Sequence, residues 1–310
     1  MRPVISGLHH VTAIASDPRR NADFYTRVLG MRLVKRTVNF DEPDVYHLYY
    51  GDATGRPGTI LTFFVRLRGA NGRPGNHQVT GVRFSVPEAG LDGWNQRLTD
   101  AGVSVGDDPT WCGSPALSFR DPEGLALHLV GDAGDRSSDA AHRGQMIRGL
   151  HSVELTVPDP GPTSTLLTAV MGLEEVCADP ERRRFAAAGD GPGRFVDVRT
   201  AGRLPEGSMG SGCVHHVAFR AASGAQQRVW QARLRARGLA VTAIKDRKYF
   251  RSIYFHEPRG IRLEIATDGP GFAVDEPLRE LGRRLQLPAS LEPVRRALED
   301  RLETPPVTSA

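Results

Sequence analysis

The stretch Leu8-HHVTAIAS-Asp17 returns three times, as Val79-TGVRFSVP-Glu88, Leu150-HSVELTVP-Asp159 and Val214-HHVAFRAA-Ser223. Recurrence at a period of about 70 residues marks a chain built from repeated units. Each copy alternates apolar or β-branched residues with others and runs into a turn signal, which predicts a strand. A helical pattern that stops at a glycine comes next in every unit: Asn21–Leu29 before Gly30, Leu91–Ala101 before Gly102, Thr163–Met171 before Gly172, and Ala225–Arg237 before Gly238. Glycine just past a helix takes a positive φ at no steric cost. Tight turns such as Asp121-Pro-Glu-Gly124 and Glu257-Pro-Arg-Gly260 then introduce further strands, Leu125–Val130 and Ile261–Ala266. One unit reads β-α-β-β-β, and the expected fold is α+β with four such modules.

The polar stretch Gly131–Gly144 reads as a linker between two pairs of modules. It predicts a first domain over 1–140 (modules one and two) and a second over 145–274 (modules three and four). A helical tail is expected over 275–310, with amphipathic helices at Pro277–Leu285 and Leu291–Leu302 and a frayed end at Thr304–Ala310.

Composition excludes several classes. The chain has 310 residues, 39% of them hydrophobic and 25% charged, as in ordinary globular proteins. No apolar run approaches the ~20 residues of a membrane span. The start of the chain lacks the apolar stretch of a secretory signal. A net charge of +4 comes from arginines scattered along the chain, without the aromatic interleaving of nucleic-acid binders. No nucleic-acid or membrane partner is expected, whereas a homo-oligomer is left open. Cys112, Cys177 and Cys213 are odd in number and widely spaced, so no disulfide framework is implied and the expected compartment is the cytoplasm. The glycine-rich Gly189–Gly193 and Gly207–Gly212 lack the Lys-Ser/Thr of a phosphate loop and read as plain loops.

The repeat also tests its own chemistry. Pairing modules one and four aligns His10 with His216 on the first strands, and Thr62 with Glu264 on the last. Two histidines and one carboxylate form a ligand set for a divalent metal with open positions, above all non-haem Fe(II). The same alignment of modules two and three gives Gly81, Ser152, His128 and a position near Asp197, which cannot hold a metal firmly. Successive strand residues face opposite ways, so His9 and His215 point away from the site or to its flank, where they can support the ligands. His151 is a rival to His10, but its register matches His9.

These phrases, together with Gly30-MRLVKRTVNF-Asp41, Tyr46-HLYYGD-Ala53, Pro57-GT-Ile60, Asp246-RKYFRSIYF-His256 and Glu264-IATDGPGF-Ala273, resemble the vicinal oxygen chelate superfamily. That superfamily includes glyoxalases, bleomycin-resistance proteins and extradiol dioxygenases. Within it the chain is similar to ring-cleaving dioxygenases acting on hydroquinones, from Leu8 to about Glu276. The resemblance implies two domains of curved, barrel-like mixed sheets. It also implies a metal, Fe(II) with Mn(II) also accommodated, at His10, His216 and Glu264. His9, Thr12, His215, Arg247 and Tyr254 would contact substrate or move protons, and the substrates would be a small aromatic diol and O2. Thr62, where a fourth ligand would stand in a glyoxalase, leaves room for diol and dioxygen together.

Two alternatives remain at this point, a glyoxalase-type metal-dependent isomerase or lyase and a non-catalytic binding or resistance protein. His47 belongs to a family phrase but has no assigned role. His77, His142 and His256 read as surface residues in loops or turns.

Overall fold

The computed structural model describes residues 4–67, 69–132, 146–202 and 204–302. Module one runs β1 (Leu8–Ala15), α1 (Pro18–Asp23, widening into a π turn through Val28), β2 (Arg32–Asn39), β3 (Glu42–Gly51) and β4 (Ile60–Val65). Module two runs β5 (Gln78–Pro87), α2 (Leu91–Asp100), β6 (Gly106–Trp111), β7 (Ser114–Arg120) and β8 (Ala126–Asp132). Module three runs β9 (Gly149–Val157), α3 (Gly161–Thr165, again widening through Val170), β10 (Glu174–Ala178), β11 (Arg182–Ala186) and β12 (Phe195–Thr200). Module four runs β13 (Val214–Ala221), α4 (Gly224–Ala236), β14 (Lys245–Asp246), β15 (Arg251–His256) and β16 (Arg262–Thr267).

Side-chain caps fix the starts of α1 and α4. The Asp17 carboxylate accepts from the backbone N–H groups of Arg19 and Arg20, and the Ser223 hydroxyl accepts from that of Gln226. Trp94 and Leu98 of α2, like Trp230 and Leu234 of α4, lie four residues apart and are fully buried. Each buried leucine stabilises the packing by roughly 1.5–3 kcal/mol.

Two curled, mixed, eight-stranded sheets result. The first has the order β14-β15-β16-β13-β1-β4-β3-β2, and the second β10-β11-β12-β9-β5-β8-β7-β6. Module one thus shares a sheet with module four, through the antiparallel pair β1–β13, and module two with module three, through β5–β9. The linker reading grouped the modules by chain order, 1–140 and 145–274; the sheets group them in a nested order instead. Composition marks where a chain is loose, whereas strand pairing decides which modules share a sheet. That linker falls almost wholly on residues 133–145, outside the described residues. A large apolar core that includes Val11, Phe63, Phe84, Val153 and Phe219 draws on both sheets, and a smaller cluster with Val34, Tyr49 and Ala218 belongs to the first.

The tail departs from the first of its two expected helices, Pro277–Leu285. Leu278–Glu280 makes one 3-10 turn, and Gly282 then takes a positive φ of 78° with its Cα against the Leu33 carbonyl, where a Cβ would not fit. The chain continues as a strap on β2, with Gln286 N–H donating to the Arg36 carbonyl, and becomes helical again in a 3-10 turn at Glu292–Val294 that leads into α5 (Arg295–Arg301), within the expected Leu291–Leu302. Burying Leu281, Leu285 and Leu287 against the sheet outweighs the weak helical pattern of Pro277–Leu285. Thr304–Ala310 lies outside the described residues.

The cysteines also correct an expectation. Cys112, just after β6, is disulfide-bonded to Cys177 of β10, 65 residues on, and only Cys213 is a free thiol. Strands β6 and β10 are the two edges of the second sheet, a proximity that cysteine spacing could not reveal. No helix among the described residues is long and apolar enough to cross a membrane.

Candidate metal centre

Strands β1, β13 and β16 lie side by side in the first sheet. Their register sets His10 opposite Ala218, Thr12 opposite His216, and Ala218 beside Glu264. Alternation then turns His10, His216 and Glu264 to one face, where their ligand atoms all lie within 4.8 Å of one another. All three are buried. Glu264 Oε2 lies 3.4 Å from His10 Nε2 and 2.9 Å from His216 Nε2, and it makes no well-formed hydrogen bond. No other His/Cys/Asp/Glu group of this kind occurs among the described residues.

The protonation states suit a cation. Burial alone would raise the Glu264 carboxyl, but the neighbouring His10 and His216 imidazoles hold it well below the usual carboxylate range. Burial pushes His216 down, offset only in part by Glu264. A neutral imidazole and an ionised carboxylate are the forms that bind a metal. A buried carboxylate oxygen without a donor, flanked by two imidazole Nε2 atoms, therefore fits a divalent ion.

The flanking histidines sit where strand alternation puts them. His9 Nδ1 lies 2.9 Å from His10 Nδ1, and His215 Nδ1 lies 2.7 Å from His216 Nδ1. Each pair fixes a ring by its far nitrogen and leaves Nε2 toward Glu264. His9 also packs on Phe250, at 5.0 Å between ring centroids. Burial lowers both, His215 to about 3. Tyr254 stands opposite Glu264 on β15, with its ring edge-on to His216. Arg247 donates to the Tyr254 hydroxyl at 3.2 Å and to Asp41 at 2.7 Å. Tyr254 stays a phenol, because burial and the Glu264 charge push its pKa up. His10, His216, Arg247, Tyr254, Phe250, His47 and Tyr49 line one cavity.

Sequence reasoning missed Ser252 and left His47 unassigned. Ser252 Oγ donates to Glu264 Oε1 and holds the carboxylate from behind. It lies two residues before Tyr254 on β15, so strand alternation from Tyr254 was the signal that could have found it. His47 Nε2 meets Thr62 Oγ1 at 2.8 Å. The rival His151 lies in the second sheet, 3.2 Å from Ser152 Oγ and tilted on Phe195. His128 is also there, across from Gly81. His77 Nδ1 bonds the Arg259 carbonyl, and His256 ends β15 rather than lying in a turn. His142 is outside the described residues.

Comparison with known proteins agrees with this architecture. The family model described as Glyoxalase/Bleomycin resistance protein/Dioxygenase superfamily matches residues 7–129 and 149–265. MhqE of Bacillus subtilis (strain 168), named as a candidate ring-cleaving dioxygenase, is 43% identical over 300 residues, covering 95% of this chain and 97% of the relative. The chlorohydroquinone/hydroquinone 1,2-dioxygenase of Sphingobium indicum is 30% identical over 304 residues, 94% of each protein. A solved structure of a candidate dioxygenase from Bacillus subtilis has a TM-score of 0.93 at 38% identity over 99% of each chain. Glyoxalase I of Zea mays shares the fold alone, with a TM-score of 0.65 at 13% identity over 84% of this chain and 92% of that one.

Proposed function

The chain belongs to the Glyoxalase/Bleomycin resistance protein/Dioxygenase superfamily, and we propose that within it the protein is an Fe(II)-dependent, extradiol-type ring-cleaving dioxygenase of hydroquinone-like aromatic diols. The observation that carries this reading is the buried His10–His216–Glu264 cluster with a threonine, not a carboxylate, at the fourth position. A glyoxalase-type isomerase needs a fourth ligand that doubles as base; Thr62 supplies neither charge nor basicity at neutral pH. The named activity of the Sphingobium indicum relative supports a hydroquinone as substrate.

His10, His216 and Glu264 would hold the ion. Fe(II) bound there would supply one-electron redox chemistry and a shared docking point for diol and dioxygen. Ser252 behind Glu264, and His9 and His215 behind the two ligand histidines, keep the three donors aimed inward. Tyr254 and Arg247 present a hydroxyl and a guanidinium to the same cavity. There they orient the diol and stabilise negative charge on its oxygens. Arg247 is in turn held by Asp41 at the rim. Phe250 and Phe40 line the cavity and keep water off the ring. Tyr254, protonated and hydrogen-bonded to Arg247, is the group best placed to return a proton to an opened ring.

The test is oxygen uptake. Protein purified without oxygen and loaded with Fe(II) should consume one O2 per hydroquinone and form a ring-opened chromophore. Bound iron with no uptake across hydroquinones and catechols would refute the reading. Anaerobic turnover with Ni(II) or Zn(II) would favour the isomerase.

A further inference from the structure

Four side chains beside the cluster form an unbroken track: Tyr49 Oη to His47 Nδ1 at 2.9 Å, His47 Nε2 to Thr62 Oγ1 at 2.8 Å, and Thr62 Oγ1 to Thr12 Oγ1 at 3.1 Å. Counting donors gives the track a direction. The Thr62 hydroxyl has one proton, and it donates to Thr12. Its contact with His47 must then be donation by Nε2–H. A neutral imidazole has a single proton, so Nδ1 accepts, and the Tyr49 hydroxyl is the donor. Each step leaves the next group only one way to turn.

The end of the track is the informative part. Thr12 accepts from Thr62, which leaves its own O–H without an acceptor among the described residues, although the residue is fully buried. Thr12 shares a strand face with His10 and stands opposite His216 in register. A polar track four groups long therefore ends as a hydroxyl proton beside the two candidate ligands. A bare buried donor is costly unless an acceptor arrives. Chains of hydrogen bonds polarise each other, which strengthens the last donor.

We propose that Tyr49, His47 and Thr62 form a one-way hydrogen-bond chain that aims the Thr12 hydroxyl at an anionic oxygen of the bound ligand, with His47 as its positioning residue. The oxygen is a phenolate of an aromatic diol, an identity that rests on the dioxygenase reading. Thr62, with its proton committed to Thr12 and one lone pair taken by His47, is also a poor ligand and stays out of the ion's coordination. This gives His47 a role that composition and spacing did not: it selects the tautomer that turns Thr62.

The test uses Co(II)-loaded full-length protein and 4-nitrocatechol, whose visible band reports both binding and ionisation. Thr62→Val and His47→Leu should each keep one Co(II) per chain and weaken nitrocatechol binding about tenfold, the scale of one hydrogen bond to a charged oxygen. Tyr49→Phe, the mildest change, should lower affinity less. Thr62→Ser, which keeps the hydroxyl, should bind as the unaltered protein does. The double variant should be no worse than Thr62→Val alone, because both breaks lie on one chain. Multiplying losses in the double variant, unchanged binding by Thr62→Val, or loss of Co(II) from either single variant would overturn the proposal. If the unaltered Fe(II) protein takes up no oxygen while the variants still lose nitrocatechol affinity, the dioxygenase reading fails and the chain stands. Normal oxygen uptake with unaltered nitrocatechol binding sinks the chain alone.

Discussion

Register equates four inward positions of the first sheet, His10, His216, Glu264 and Thr62, with Ser152, Gly81, His128 and Asp197 of the second. The neighbouring positions diverge as well: Thr12 and Ala218 of the first sheet correspond to Glu154 and Arg83 of the second. In the second sheet Arg184 grips Asp197 through Nε and a terminal nitrogen at 2.7 and 3.0 Å, Arg83 meets Glu154 at 3.0 Å, and Ser152 donates to Asp197. Two guanidinium groups face two carboxylates, so the interior charge is balanced by the protein itself. At the matching positions the first sheet has one carboxylate, Glu264, beside two imidazoles, with no guanidinium or ammonium group among them to match it. One scaffold can thus close a polar interior on itself or leave it one cation short, and only the second condition makes a binding site.

The largest expected effect tests that contrast directly. Glu264→Ala should reduce oxygen uptake to background and bound iron by at least about a hundredfold, with little change in melting temperature, as read by metal analysis beside calorimetry. Asp197→Ala should do the reverse. It leaves Arg184 buried without its carboxylate and should cost about 3–5 kcal/mol, while iron stoichiometry holds. Thermal unfolding of the two variants side by side would break the comparison if both lost metal or both lost stability.

A smaller effect is expected at the cavity wall. Arg247→Ala should lower kcat/KM for a hydroquinone about tenfold to a hundredfold with iron retained, since it removes a charged partner of the ligand rather than a holder of the ion. Steady-state kinetics on iron-matched samples would check it.

The smallest effect is on pH dependence. Burial, aided by Arg184, lowers His151 to about 4. Its folded pKa lies below the ordinary value, so its contribution is complete above pH about 6.5 and is lost as pH falls toward 4. Burial alone would raise Asp197, but the Arg184 pairing lowers it, so its contribution is lost only at lower pH still. His9, His47 and His215 share the direction of His151. In the metal-free protein, His151→Gln should remove one histidine's share of the fall in melting temperature between pH 7 and 4.5. An unchanged fall would show that His151 titrates alike folded and unfolded.

Much of this was legible because the chain repeats. His10, His216 and Glu264 could be aligned by module before any contact was known, and the same alignment marked Ser152, Gly81 and His128 as unable to hold a metal. Strand alternation separated His9 from His10 without a coordinate. Other features depend on what lies across a strand or a sheet. Ser252 shares a strand face with Tyr254, but only the pairing of β15 with β16 shows that it meets Glu264. His47 looked idle until Thr62 and Tyr49 met its two nitrogens. Cys112 and Cys177 looked unrelated because sheet order, not spacing, brings the edges together. The tail pattern read as helix because Leu281 and Leu285 have helical spacing, yet they are equally able to anchor a strap.

The nested pairing of modules has a consequence for how the chain comes together during synthesis. Modules two and three are contiguous in time as well as in sequence, and their sheet, including the Cys112–Cys177 closure, is complete once residue 200 is available. Module one emerges first but waits for its partner, because β1 pairs with β13 and the last candidate ligand, Glu264, is among the final strands made. Closing so long a loop costs conformational entropy that a preformed inner sheet reduces by bringing its ends near. The self-neutralised sheet can thus be complete while the cation-seeking one still lacks its last strands. A ribosome-bound chain halted before β16 would present a finished inner sheet and two histidines still without their carboxylate.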